Sequence, residues 1–286
     1  MGLLLGVISL CMFGFDHNKI SAAITQAKFY GDAARTETVA LADKTSVSIN
    51  VDNQSVYVSK IADDEFKLSW WEHSKHTITT FEPDGESGTQ LSLKLREKFT
   101  FRMSLWTSSK YEKVTIEIPE AFDGEVKIIA HNGKVDIGGI DVDKIFVECY
   151  NGNTNINNNA ANVVGVKNHN GKTAVNNSSI KLINIENNNG KVELDNVIVK
   201  TLDIRCHNGN IEVKGTTATD VKAVNHNGTN NITLRGKVTD YHITLKNSNG
   251  NSYLNGNKAS GIVSQGITGT IELTTYNGAN RLNFVA

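Results

Sequence analysis

Residues 151–194 read NGNTNINNNAANVVGVKNHNGKTAVNNSSIKLINIENNNGKVEL, and the Asn-Gly pairs in this stretch decide the fold because they return at constant spacing. The glycine stands at Gly133, Gly152, Gly171, Gly190, Gly209 and Gly228, each 19 residues after the one before. It stands again at Gly250 and Gly278, after steps of 22 and 28, so the last rungs carry insertions. A period of this length marks a protein in which each unit leaves an apolar face that only its neighbour can cover.

Alignment on the glycine exposes three apolar columns. Seven residues before it the column runs Val126, Ile145, Val164, Ile183, Leu202, Val221, Ile243, Ile271. Five before it the column runs from Ile128 through Ile185 to Leu273, and four after it from Ile137 through Leu194 to Leu282. Polar residues such as Lys127, Asp203, Glu186, Glu193 and Glu212 fill the positions between. Alternation with period two on both sides of a turn is the pattern of strands buried on one face. The expected fold is therefore all-β: a single-stack β-solenoid over residues 121–286, of about eight rungs, mostly 19 residues each. With neighbouring strands about 4.8 Å apart, the rod would be roughly 35 to 40 Å long. Asn and Gly suit the corner because both tolerate positive φ. Asn168, Asn187, Asn225 and Asn247, three before the glycine, are expected to point into the corner and bond the turn backbone.

Cys149 and Cys206 share that column three rungs apart, roughly 14 Å by the strand spacing. A disulfide needs Cα atoms within about 7 Å, so both are expected to be free core residues. With Cys11 the only other cysteine, no disulfide framework is implied. The net charge of -1 from 29 basic and 30 acidic residues removes nucleic acid from the expected partners.

Residues 36–120 lack the period but alternate in places, as in Val47, Ile49, Val51, Val56 and Val58, and concentrate the aromatics Trp70, Trp71, Phe99, Phe101 and Trp106. They predict a strand-rich module capping the solenoid, with Phe81–Gly88 as its clearest loop and Val114–Pro119 leading into the first rung. Residues 1–35 open with the uncharged run MGLLLGVISLCMFGF. That run is short of the about 20 residues of a full span and lacks the basic start of a secretory signal. It is read as an N-terminal apolar helix serving as membrane anchor or signal, followed by an Ala-rich juxtamembrane stretch from Lys19 to Arg35.

Two groups invite a chemical reading. The column two before the glycine holds His131, Tyr150, His169, Asn188, His207 and His226. Histidine is a good metal ligand, but a straight ladder offers two ligands at best, so a stacked or solvated surface column is expected and no metal or cofactor is assigned. Glu193 and Glu212 occupy outward positions on neighbouring rungs, about 5 Å apart if the rungs stack, the separation that retaining glycosidases use. A flat wall without cleft-forming loops encloses no substrate, so catalysis is not expected. No Walker loop, H-E-x-x-H, C-x-x-C or G-x-S-x-G motif occurs.

The N-G-[KN]-[VIT]-x-[VIL] repeat from Asn132 to Leu282, the V-x-I-x-I-P strand at Val114–Pro119 and the apolar N-terminus together make the chain resemble the bacterial DUF4097 family of adhesin-like β-strand repeat proteins. The resemblance covers most of residues 45–286. It implies a non-enzymatic, membrane-anchored or exported cell-envelope protein, in some members linked to envelope stress responses, with the solenoid outside the cytoplasm. The Asn-rich, Pro-poor composition resembles that of low-GC Gram-positive bacteria. The expected partners are the membrane, through the N-terminal segment, and a cell-surface glycan, peptide or envelope protein. A polysaccharide-acting enzyme on a parallel β-helix and a membrane-bound regulator facing the cytoplasm are the alternatives.

Overall fold

A computed structural model describes residues 33–72, 76–84, 89–97 and 113–285. The described residues form 22 strands of one continuous, mostly parallel sheet, with a single 3-10 turn at Val238–Asp240. The apolar N-terminal segment lies outside them. Ala33–Ala40 is a strand, so the last three residues of the Ala-rich stretch, 33–35, are extended chain. Among the described residues no helix is long and apolar enough to cross a membrane.

The middle of the chain stacks as its period demands. Ile145 pairs with Val164, Val164 with Ile183, Ile183 with Leu202 and Leu202 with Val221, all parallel and in register. Beyond the corner, Thr154–Asn157 lies on Thr173–Asn176, which lies on Val192–Asp195. The first two apolar columns are 0% to 4% exposed along their whole length. Burying an Ile or Leu side chain in this way contributes about 1.5–3 kcal/mol, which makes each level dependent on the one above and below. Two further inward columns follow the second turn: one begins Ile140, Asn159, Ser178, the other includes Val142, Ile180 and Val199.

Two turns per level make this closure possible. At the Asn-Gly corner, Gly190 has φ +146, and a Cβ there would sit 2.1 Å from the carbonyl oxygen of Gly171 in the level below. Only glycine lets the corners stack this closely. The second turn, six residues on, is held at positive φ by Gly139, Asn158, Asn177, Asn196 and Gly215.

The leading segment extends the stack as well as closing it. Ser46–Val51 and Ser55–Ile61 form the level beneath Glu125–Ala130 and Val135–Gly138. Gln90–Glu97 and Lys113–Pro119 form the level beneath that. Val114–Pro119 therefore precedes the first rung in sequence but is separated from it in space by residues 46–61. Antiparallel strands then cover both edges: His76–Asp84 against Gln90–Glu97, and Glu65–Glu72, itself flanked by Ala33–Ala40, against Lys113–Pro119. Covering these edges removes the unpaired backbone that invites association. Phe81–Asp84, expected to open a loop, finish a strand instead, Glu82–Asp84 pairing across to residues 90–92, while residues 85–88 of that expected loop lie outside the described residues. Trp70 is buried, and Phe66 meets Phe122 edge-on at 5.1 Å; Phe99, Phe101 and Trp106 lie outside the described residues.

At the other end the expected stacking order fails. Tyr241–Leu254 does not lie on residues 217–235. Gly269–Val285 lies between them: Ile271 pairs with Val221 on one side and with Ile243 on the other. The three-residue insertion before Gly250 supplies roughly 10 Å of extended chain, enough to climb one additional level of about 4.8 Å. Asn257–Lys258 and Gly261–Gln265 then pair antiparallel with the outermost strand before the chain returns inward.

Candidate functional site: the corner ridge

Alternation points the residue three before each corner glycine inward, and the next one outward. The turn at glycine then leaves its preceding asparagine outward as well. Each level thus presents one buried and two exposed side chains at the same edge, and the stacking turns each into a ladder.

The buried column satisfies the corner. Each of Asn168, Asn187 and Asn225 donates its side-chain amide to the carbonyl of the glycine one level below, at 3.1, 3.0 and 2.9 Å. Asn247 does the same to Gly278 at 2.9 Å, because residues 269–285 are its spatial neighbour. The expected contact with turn backbone is thus made. Cys149 and Cys206 replace the amide with a thiol, 3.4 and 3.5 Å from the carbonyls of Gly133 and Gly190. Both are free and buried, and burial pushes the Cys206 thiol up to about 11 and raises that of Cys149. They are inert donors rather than nucleophiles.

The first exposed column is a ring stack. His131 lies on Tyr150 at 5.0 Å and Tyr150 on His169 at 4.5 Å, with interplanar angles of 9° and 3°. Asn188 interrupts the rings and bonds the His169 Nδ1 at 3.3 Å. The stack resumes with His207 on His226 at 4.5 Å and His226 on Tyr276 at 4.9 Å. The strand spacing of about 4.8 Å sets these distances. The rings cover each other's faces and turn their edges outward. Tyr276 completes the column although it lies 50 residues beyond His226, because Gly278 occupies the next level.

The second exposed column is a chain of amides that the sequence reading passed over, although it consists of the asparagines of the Asn-Gly pairs themselves. Asn132 donates to Asn53, Asn151 to Asn132, Asn170 to Asn151 and Asn189 to Asn170, at 2.8 to 2.9 Å. Asn208, Asn227, Asn277 and Asn249 continue it in spatial order. Every donation runs toward the same end of the rod. Each amide keeps one N–H unused by the ladder, so the edge presents a regular row of uncharged donors beside a row of ring edges.

Glu193 and Glu212 are brought to adjacent levels in direct register. Lys172 and Lys191 pair with Glu193, while Lys191 and Lys214 pair with Glu212 at 2.8 and 3.4 Å. The lysine partners hold Glu193 below the usual carboxylate range, Lys172 contributing most, and Lys191 does the same for Glu212. A retaining glycosidase needs one carboxyl kept protonated as general acid, whereas both groups here are held ionised. Among the described residues no three His, Cys, Asp or Glu side chains converge as metal ligands. The outer face of the strands before the corner has a shallow depression where Phe146 lies over Gly165 between Lys127, Glu148, Lys167 and Glu186, and another between Asp203, Asp220, Lys222, His242 and Glu272.

Residues 45–276 match the family described as Toastrack, DUF4097. Among solved structures, an adhesin candidate from Bacteroides fragilis aligns with a TM-score of 0.52 at 11% identity, over 90% of this chain and 99% of its own. One from Parabacteroides merdae aligns with the same score and identity, over 90% and 97%. At this identity the likeness establishes a shared fold. No curated protein matches the chain.

Proposed function

The chain belongs to the Toastrack DUF4097 family, and on that premise we propose that it is a non-catalytic scaffold of the bacterial cell envelope. In this reading it is held at the membrane by its N-terminal segment and displays the solenoid outward, where the corner ridge binds an extended, uncharged polar polymer, a surface glycan in the first instance. The observation that carries the reading is the ridge itself: an amide ladder and a ring-edge column run side by side along the stack, repeating about every 4.8 Å. A long, shallow, regularly spaced row of donors suits a repeating chain; a small molecule calls for an enclosing pocket. The lysine-neutralised Glu193 and Glu212 support a binding role for the wall over a catalytic one. A link to envelope stress signalling belongs to the same proposal.

Binding of the full chain to purified envelope polysaccharides and to a glycan panel tests it. The expected result is saturable binding, at least tenfold weaker in a His207→Ala, His226→Ala, Tyr276→Ala variant with unchanged circular dichroism. Equal binding by that variant contradicts the ridge. Resistance to protease on intact cells, with digestion only after lysis, contradicts outward display.

A further inference from the structure

We propose that residues 269–285 are a removable strand seated in a slot of the solenoid, and that the slot can take the same segment in trans from a second copy of this chain. The first observation is the order of levels. Gly269–Val285 enters between residues 217–235 and Tyr241–Leu254 after both have been laid down in sequence. The apolar columns do not require this. Val221, Ile243 and Ile271 are interchangeable aliphatics in one column, as are Ile232, Leu254 and Leu282 in another, so 241–254 would meet 217–235 in good register with the insert absent.

The second observation is a buried polar cluster confined to these levels. Two positions after the corner glycine, the inward residues are Val135, Thr154, Thr173, Val192 and Ile211, then Asn230, Asn280 and Ser252 in spatial order. Asn230 donates to the Asn280 Oδ1 at 2.8 Å and to the Thr275 hydroxyl at 3.1 Å. Thr275 donates to the same Asn280 oxygen at 2.6 Å. The Asn280 amide donates upward to the Lys246 carbonyl at 2.7 Å and to the Ser252 hydroxyl at 3.1 Å. The inserted strand therefore carries three acceptors for the Asn230 amide, the Thr275 hydroxyl, the Asn280 Oδ1 and the Thr274 carbonyl at 3.1 Å, while the Asn230 Oδ1 stays unpartnered, and Asn280 also bonds the level above. Such a network specifies one arrangement among several that burial alone would accept.

The mouth of the slot is built for the strand as well. A Cβ on Gly269 would lie 2.1 Å from the Thr219 carbonyl oxygen, so the chain enters against bare backbone. Thr270 donates its N–H and its hydroxyl to the Asp220 carboxylate at 3.1 and 2.7 Å. The chain connects the insert to the neighbouring level through residues 255–268, where the turn at Asn255–Gly256 and the short strand Asn257–Lys258 are exposed. A second copy carries the same strand and the same polar groups, which makes it the partner of matching chemistry.

The test uses the full chain with a specific protease site placed at Asn257–Lys258. After cleavage the 269–285 segment is expected to stay bound without a covalent link and to exchange with labelled peptide of the same sequence. A peptide carrying Asn280→Leu is expected to occupy the slot at least tenfold less, and one carrying Thr275→Val several-fold less. Uncut light and heavy isotope copies, mixed through partial denaturant at high concentration, are expected to give mixed dimers by native mass spectrometry. Failure of the cut segment to exchange, equal occupancy by the Asn280→Leu peptide, or absence of mixed dimers overturns the proposal.

Discussion

Residues 141–214 and 217–285 are built from the same columns yet solve different problems. In the regular region the order of levels follows the chain, and the interior is chiefly aliphatic, with Asn168 and Asn187 bonded to corner carbonyls. In the last three levels the order departs from the chain, and Asn230, Thr275, Asn280 and Ser252 join hands inside the core. Hydrophobic burial fixes which face a residue turns, but it is blind to which level it occupies when all levels look alike. Polar groups with directional partners supply that missing information.

Substitutions that act on one region and spare the other sharpen this contrast. Gly190→Val should have the largest effect: it places a side chain against the Gly171 backbone at positive φ. A loss on the order of 4 kcal/mol, the exceptional range for a point change, is expected from urea denaturation. Asn280→Leu should cost about 1–3 kcal/mol by removing the buried oxygen that accepts from Asn230 and Thr275 and the amide that donates to Ser252. Its signature is local: amide hydrogen exchange should accelerate in residues 230–285 and stay unchanged in 141–189. Uniform acceleration would break the comparison.

The smallest effect is electrostatic. The lysine partners lower the Glu193 and Glu212 pKa values on folding, so their contribution is fully present above the ordinary glutamate value of about 4.3 and is lost as pH falls through the lower folded values. Such partly exposed pairs contribute up to about 1 kcal/mol. A Glu193→Gln, Glu212→Gln variant should therefore be less stable than the parent by up to about 1 kcal/mol near neutrality, with the difference vanishing in acid, so that its acid-side decline is shallower.

Much of this was legible in the sequence, because period two and period 19 are read directly from residue type. The columns of Ile183 and Ile185, the corner glycines and the unpaired Cys149 and Cys206 follow from spacing and alternation alone. The stacked His207 and His226 follow too, since strand spacing leaves flat rings on adjacent levels little choice. The second turn was missed although Asn158, Asn177 and Asn196 stand in one column at positive φ; the abundance of asparagine elsewhere hid it. The exposed amide ladder was present as the first residue of each Asn-Gly pair, but its bonds exist only once the levels are stacked. The level order was out of reach of the columns, since Ile243 and Ile271 satisfy the same position. The insertions of three and nine residues and the inward Asn230 and Asn280 were its only marks.

The inserted order can be tested directly with cysteine pairs on the exposed ladder. Neighbouring levels bring Cα atoms to about 4.8 Å, within the range of about 4.4–6.8 Å that a disulfide accepts; a second level doubles the distance. Under mild oxidation of dilute, monomeric protein, Asn227→Cys with Asn277→Cys should form an intramolecular disulfide rapidly, and Asn227→Cys with Asn249→Cys should not. Rapid closure of the 227–249 pair, with the 227–277 pair left open, would show that the levels stack in sequence order and would contradict the account.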